Sequence, residues 1–143
     1  MFDNILVVCV GNICRSPVAE AMLCRALPQK RIQSAGLGAL VGQGVDATAR
    51  QLAEADGLAV ADHRARQLTV EMLQGADLIL VMSQGQRRAV GELSPQALGK
   101  TMTLGRWLPD EPEIPDPYRK SRDAFEHVHH LLKDATNAWA KRL

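Results

Sequence analysis

The sequence has no surplus of charge of either sign. Its 17 Lys and Arg stand against 16 Asp and Glu, a formal net charge of +1 over 143 residues. That balance removes the broad basic field that draws a chain to nucleic acid, so any anion site must be local and no nucleic-acid partner is expected. No leader is expected either. Met1 to Val10 holds an acidic Asp3, no positive cluster and only a short apolar stretch, which excludes an ordinary signal peptide or membrane span and leads to an expectation of no membrane insertion. Cysteine is scarce: Cys9, Cys14 and Cys24 cannot all pair within one chain. Without an export signal the expected compartment is the reducing cytoplasm, where thiol chemistry is a better expectation than a disulfide scaffold. No repeat, low-complexity tract or interdomain linker occurs, and a single domain over residues 1–143 is expected.

What the sequence does contain alternates between strand and helix signals. Asn4 to Cys9 is a short, uniformly apolar run ending near Gly11, and Asp77 to Met82 is a second; both suit strands buried on two faces. Arg31 to Ala35 and Met102 to Leu104 are weaker strand signals. Ser16-Pro17 reads as a cap and first helical residue, with Glu20 in the first turn of a helix reaching about Leu27. Asp46 or Thr48 can cap a helix that stops at Gly57. A short helix is expected around Val70 to Leu73 and another over Gln84 to Leu93. Phe125, Val128, Leu132, Ala135 and Trp139 recur at helical spacing and mark a long amphipathic helix. Pro109, Pro112, Pro115 and Pro117 hold Trp107 to Tyr118 out of regular structure, in a loop long enough to suggest function. The alternation implies an α/β fold, three layers around a parallel sheet.

Cys9-Val-Gly-Asn-Ile-Cys-Arg-Ser16 falls between the first strand and the first helix, where open parallel sheets place their ligands. A loop curling there aims backbone N–H groups at one point, and the helix adds its positive end, which makes an anion cradle of Val10, Gly11, Asn12, Ile13, Cys14, Arg15 and Ser16. Gly11 is expected to take positive φ and Asn12 to hold the curl with its side chain. The dipoles that bind phosphate also favour a thiolate, so Cys9 is the candidate nucleophile. Arg15 offers a planar fork for two phosphate oxygens, and Ser16 a hydroxyl for the sulfur. A lone strand-end cysteine is usually an inert small hydrophobe; cysteine, five residues and then Arg-Ser-Pro in this context is a much rarer combination. No Walker-type Gly-Lys-Ser or Gly-Lys-Thr exists, and Gly36 to Gly42 is a poor dinucleotide fingerprint.

Expelling an alkoxide or phenolate requires a proton donor outside the cradle. Asp116-Pro-Tyr118 supplies one, with Pro117 restricting the aspartate backbone; Asp110 and Glu113 in the same loop are the alternatives. Val8 to Pro17 resembles the signature of low-molecular-weight protein tyrosine phosphatases, and Asp116-Pro-Tyr118 resembles their acid loop. Ser34-Ala-Gly36 and His63-Arg-Ala-Arg-Gln67 are similar to intermediate family landmarks, so the likeness covers nearly the whole chain. The resemblance implies a four-stranded parallel sheet flanked by helices, a phosphocysteine at Cys9, and acid then base duty for Asp116. It also implies a supporting network in which His63 acts through Ser34 and Asn12. Ser34 to Gly42 and Ile114 to Ser121 further resemble the bacterial branch paired with tyrosine autokinases of capsule and exopolysaccharide production. The implied partner is thus a membrane tyrosine autokinase with a tyrosine-rich tail, met by a mostly monomeric enzyme. Leu40 stands where eukaryotic relatives carry a bulky aromatic, Arg119 where many carry a second tyrosine, and Ser83 where relatives often have an acidic residue. Leu40 and Tyr118 are the expected cleft walls.

Cys14, five positions from Cys9, is a candidate for a protective disulfide or a loop-packing thiol, and Cys24 is expected in the helix core. His127, His129 and His130 fall short of a metal site even with Glu126 nearby, so no metal or other cofactor is expected. Arg87-Arg88 and Arg119 to Arg122 are expected as solvated charge. Arsenate reduction by a cysteine relay ranks below phosphatase because no cysteine follows Cys24. A phosphotyrosine-binding or redox-sensing module without turnover is disfavoured by the intact Cys9, Arg15, Ser16 and Asp116.

Overall fold

The computed structural model describes residues 2–143. β1 (Asn4–Cys9), β2 (Arg31–Gly36), β3 (Leu78–Val81) and β4 (Thr101–Thr103) form one parallel sheet in the order β2-β1-β3-β4. Five helices accompany them: α1 (Arg15–Ala26), α2 (Ala47–Ala55), α3 (Val70–Gly75), α4 (Gln84–Leu93) and α5 (Arg122–Ala140).

Because side chains alternate across a strand, β1 feeds two cores. Ile5, Val7 and Cys9 join Val18, Met22, Phe125, Val128, Leu132 and Trp139 on the face covered by α1 and α5. Leu6 and Val8 join Ile79, Val81, Leu73 and Val90 on the face covered by α3 and α4. Each such side chain, once fully buried, contributes about 1.5–3 kcal/mol of transfer free energy. The expected three-layer α/β arrangement with four parallel strands is therefore present, and Phe125 to Trp139 form its long packed helix face.

Element limits depart from expectation where side chains intervene. β3 loses Asp77, whose carboxylate instead accepts from the amides of Asp3 and Asn4, and loses Met82, whose amide donates to Gln86 Oε1. Two unexpected 3-10 turns, Pro95–Lys100 and Leu104–Trp107, flank β4. Trp107 thus closes a 3-10 turn, and the irregular loop begins after it. Asp46 caps α2, accepting from Thr48 N and Ala49 N, and Gly57 follows the helix with φ 78°. Cys24 corrects the expectation of a core position: it is exposed on the outer side of α1. Arg87 is not simply solvated, since it donates to the carbonyls of Thr101 and Leu98 and ties α4 to β4.

All strands being parallel, their carboxyl ends share one edge. The chain turns from β1 to β2 on one side and β3 lies on the other, so the crevice beyond Cys9 is a topological switch point. Among the described residues no helix is long and apolar enough to cross a membrane.

Candidate active site

β1 delivers Cys9 to this crevice, buried at 2% exposure. The chain then curls and enters α1 at Arg15, not at Pro17 as the Ser-Pro signal suggests. Cys14 occupies the cap position without a side-chain hydrogen bond, which leaves the first-turn amides for another acceptor. Ser16 is released from capping. Its Oγ lies 2.9 Å from Cys9 Sγ and accepts from Asn12 Nδ2 at 2.8 Å, so its own hydrogen is free to point at the sulfur.

The left-handed turn belongs to Asn12, at φ 59°, and not to Gly11, which has ordinary φ and room for a Cβ. Asn12 is wholly buried and tied on every side. Its Nδ2 also donates to Ser34 Oγ at 3.0 Å, its Oδ1 accepts from Arg66 N at 3.0 Å, and its carbonyl accepts from His63 Nε2 at 2.7 Å. His63 therefore reaches the cradle through the Asn12 backbone and makes no bond to Ser34. Ser34 instead donates to Glu20 Oε1 at 2.5 Å. Glu20, expected to mark the first turn of a helix, sits beyond that turn and is the network's outer carboxylate. Glu20 and Arg66 are additions that no local spacing announces. Gly36, at the end of β2, allows the close fit: a Cβ there would lie 2.4 Å from Val10 O and 3.1 Å from Asn12 Cβ.

Arg15 is buried at 4% exposure. Its Nη1 donates to Ile114 O at 2.8 Å and its Nη2 lies 3.8 Å from Asp116 Oδ2. Asp116 is half-exposed and accepts the Tyr118 amide at 3.0 Å. Together Cys9, Val10, Gly11, Ile13, Cys14, Arg15, Leu40, Asp116 and Tyr118 line a cavity of about 170 Å³. Of the acid-loop carboxylates Asp110, Glu113 and Asp116, Asp116 alone lines it. A larger cavity of about 640 Å³ runs behind the cradle along α1 and residues 57–63, touching Glu20 and His63 but neither Cys9 nor Arg15.

Cys14 shares the cavity wall as a free, buried thiol. Burial above all, and then the Asp46 carboxylate, push it up to about 12. Ser83 does not face the cavity: its Oγ accepts from Gln86 N and caps α4. His129 is buried against Asp56 at 2.5 Å, joining α5 to the end of α2. Arg119 lies over the Tyr118 ring at 5.2 Å, and Arg122 pairs with Glu126.

A loop of this sequence, closing the carboxyl end of the first strand of a four-stranded parallel sheet, defines the class of phosphatases that work through a cysteine. Within that class residues 4–143 match the low molecular weight phosphotyrosine protein phosphatase family, and the chain belongs to it. It is 50% identical to the low molecular weight protein-tyrosine-phosphatase Wzb of Salmonella typhimurium, covering 100% of this chain and 95% of that protein. Wzb of Vibrio vulnificus, solved in complex with benzylphosphonate, superposes with a TM-score of 0.97 at 45% identity, over 100% of both chains. An arginine phosphatase of Geobacillus stearothermophilus also shares the fold, with a TM-score of 0.90 at 31% identity over 96% of this chain and 90% of that one.

Proposed function

We propose that this tyrosine phosphatase works through Cys9, Arg15 and Asp116. The Cys9 thiolate attacks phosphorus while Asp116 protonates the departing tyrosine oxygen, giving phosphocysteine and free tyrosine. Asp116, now a carboxylate, takes a proton from water as that water attacks phosphorus; phosphate leaves and the Cys9 thiolate returns. Arg15 holds two equatorial oxygens, and its bond to Ile114 O fixes the plane of the fork before substrate arrives. Ser16 steadies the sulfur anion at the start and end of the cycle. These steps use side chains and water alone. The observation that carries the reading is the placement of Cys9 Sγ 2.9 Å from Ser16 Oγ in a cavity that Arg15 and Asp116 also line.

The substrate preference follows from depth. Leu40 and Tyr118 wall a narrow cavity above a buried sulfur, which suits a flat ring carrying its phosphate at the far end. The favoured physiological substrate is the tyrosine-rich tail of a membrane tyrosine autokinase of exopolysaccharide or capsule production. The enzyme meets that tail from the cytoplasm as a monomeric single domain. Cys14 serves as a resolving thiol if Cys9 is oxidised.

The test is Cys9→Ser. Hydrolysis of a phosphotyrosine peptide should vanish while binding of the same peptide persists; near-normal turnover would reject the nucleophile. In the same assay wild type should prefer phosphotyrosine over phosphoserine and phosphoarginine peptides, and equal rates would remove the tyrosine assignment.

A further inference from the structure

The loop bearing Asp116 is fastened just before it reaches the site. Gly105 lacks the Cβ that would lie 2.1 Å from Pro112 O, Ile114 N donates to Met82 O at 2.9 Å, and between them Glu113 Oε2 accepts from Gln84 N at 2.8 Å. Gln84 opens α4, and as its first residue it has no carbonyl within the helix to receive its amide. Ser83 already serves Gln86 N. A carboxylate here therefore satisfies an orphan donor and sits at the positive end of a ten-residue helix.

We propose that Glu113 is a positioning residue for the general acid: by clasping the start of α4 it sets where Asp116 stands over Cys9. Only Ile114 and Pro115 separate the two carboxylates, and Pro115 has its φ fixed by the ring. Beyond Asp116 the chain is gripped again by buried Pro117, which packs beside Cys14, Val18 and Phe125. With few free torsions between two anchors, a shift of the Glu113 clasp passes to the Asp116 carboxyl, whose other supports are its own turn to Tyr118 N and the Arg15 guanidinium 3.8 Å away. Glu113 itself lies outside the Cys9 cavity and touches no reacting atom.

This inference rests on Asp116 being the acid, and the experiment separates the two ideas. The rate constant kcat/KM, which reports formation of phosphocysteine, is measured for phosphotyrosine and for a strongly activated aryl phosphate whose leaving group needs no proton. Glu113→Ala should lose about tenfold on phosphotyrosine, a part of the about 10²–10⁴-fold expected when a general acid is removed outright. It should change little on the activated ester, and Tm should stay near wild type because the side chain is exposed. Glu113→Gln keeps an acceptor oxygen for Gln84 N and should recover most of the loss. In an Asp116→Ala background, Glu113→Ala should have no further effect on phosphotyrosine. Equal losses on both esters, or an undiminished loss in the double variant, would make Glu113 a general structural support and overturn the proposal. Absence of leaving-group dependence in Asp116→Ala alone would instead overturn the acid assignment.

Discussion

Residues 9–16 and residues 112–118 meet across one cavity, yet the first segment is mostly buried and tied through its middle, while the second is largely exposed and fastened at its two ends. Asn12 shows the first manner of construction: an uncommon backbone conformation, fully buried, held by Ser16, Ser34, His63 and Arg66. Asp116 shows the second, half-exposed between the upstream clasp at residues 112–114 and buried Pro117. The difference matches what each part must do. The cradle meets a phosphate of fixed shape and gains from having its donors arranged beforehand. In its proposed role as acid, Asp116 must meet leaving groups that arrive with different chains attached, and must afterwards admit water.

From that contrast, damage to the cradle should be blind to the leaving group and damage to the acid loop should not. The largest effect is expected for Asn12→Ala. The amide of Arg66 and the hydroxyls of Ser16 and Ser34 lose a buried partner, a stability loss of about 1–3 kcal/mol, and the curl loses the residue type that tolerates φ near 60°. Misplacing the cradle donors by as little as 1 Å corresponds to about a 10²-fold loss. Denaturant unfolding and kcat/KM measured on phosphotyrosine and on an activated aryl phosphate check this, with both esters falling together. A loss confined to phosphotyrosine would break the comparison.

Gly105→Ala acts on the other loop. Its Cβ drives against the Pro112 carbonyl, backbone that cannot swing aside as a side chain would. Overpacking of this kind costs about 1–3 kcal/mol. The displaced loop should slow phosphotyrosine more than the activated ester, and the ratio of the two rates is the measurement.

The smallest effect comes from a tie that lies outside both loops. The hydrogen bond from His129, helped by Lys133, holds the Asp56 carboxyl below its ordinary range. A carboxyl depressed in the folded state contributes stability that is complete above its unfolded value of about 3.9 and is lost as pH falls through the lower folded value. Asp56→Asn should therefore lower Tm near neutrality, and the gap to wild type should narrow as pH drops below about 4. Activity at neutral pH should change little. A large fall in turnover would show that the α2 to α5 tie reaches the site.

The cradle could be read from the sequence because its chemistry is local: Cys9, Arg15 and Ser16 lie within one strand-loop-helix segment, and that strand and its neighbour β3 are apolar runs. What escaped reading is tertiary. Glu20 looked like a helix-start signal because its partner Ser34 lies on another strand, and Arg66 reaches Asn12 through a main-chain amide that no side-chain pattern encodes. Gly11 drew the positive φ by habit of residue type, whereas hydrogen bonds with two distant segments, at Ser34 and at residues 63–66, hold it on Asn12. Ser16-Pro17 has the form of a cap, but the hydroxyl serves the sulfur, and proline is tolerated anywhere in a first turn where amides have no helical partner. Glu113, one of four acidic residues in a proline-rich loop, could not be sorted from Asp116 until α4 was seen beside it.

The missing side chain of Gly36 has one more consequence. Because the last residue of β2 presses directly on Val10 and Asn12, and residues 63–67 bond to both Gly36 and Asn12, the cradle is a joint of three stretches far apart in the chain. It cannot exist in part. A peptide spanning residues 1–27 contains Cys9, Arg15 and the whole first helix, yet lacks Ser34, Gly36, His63 and Arg66. Cut from the rest of the molecule, those residues amount to a cysteine in a flexible chain, and catalysis is a property of the assembled fold that no proteolytic fragment of this length inherits.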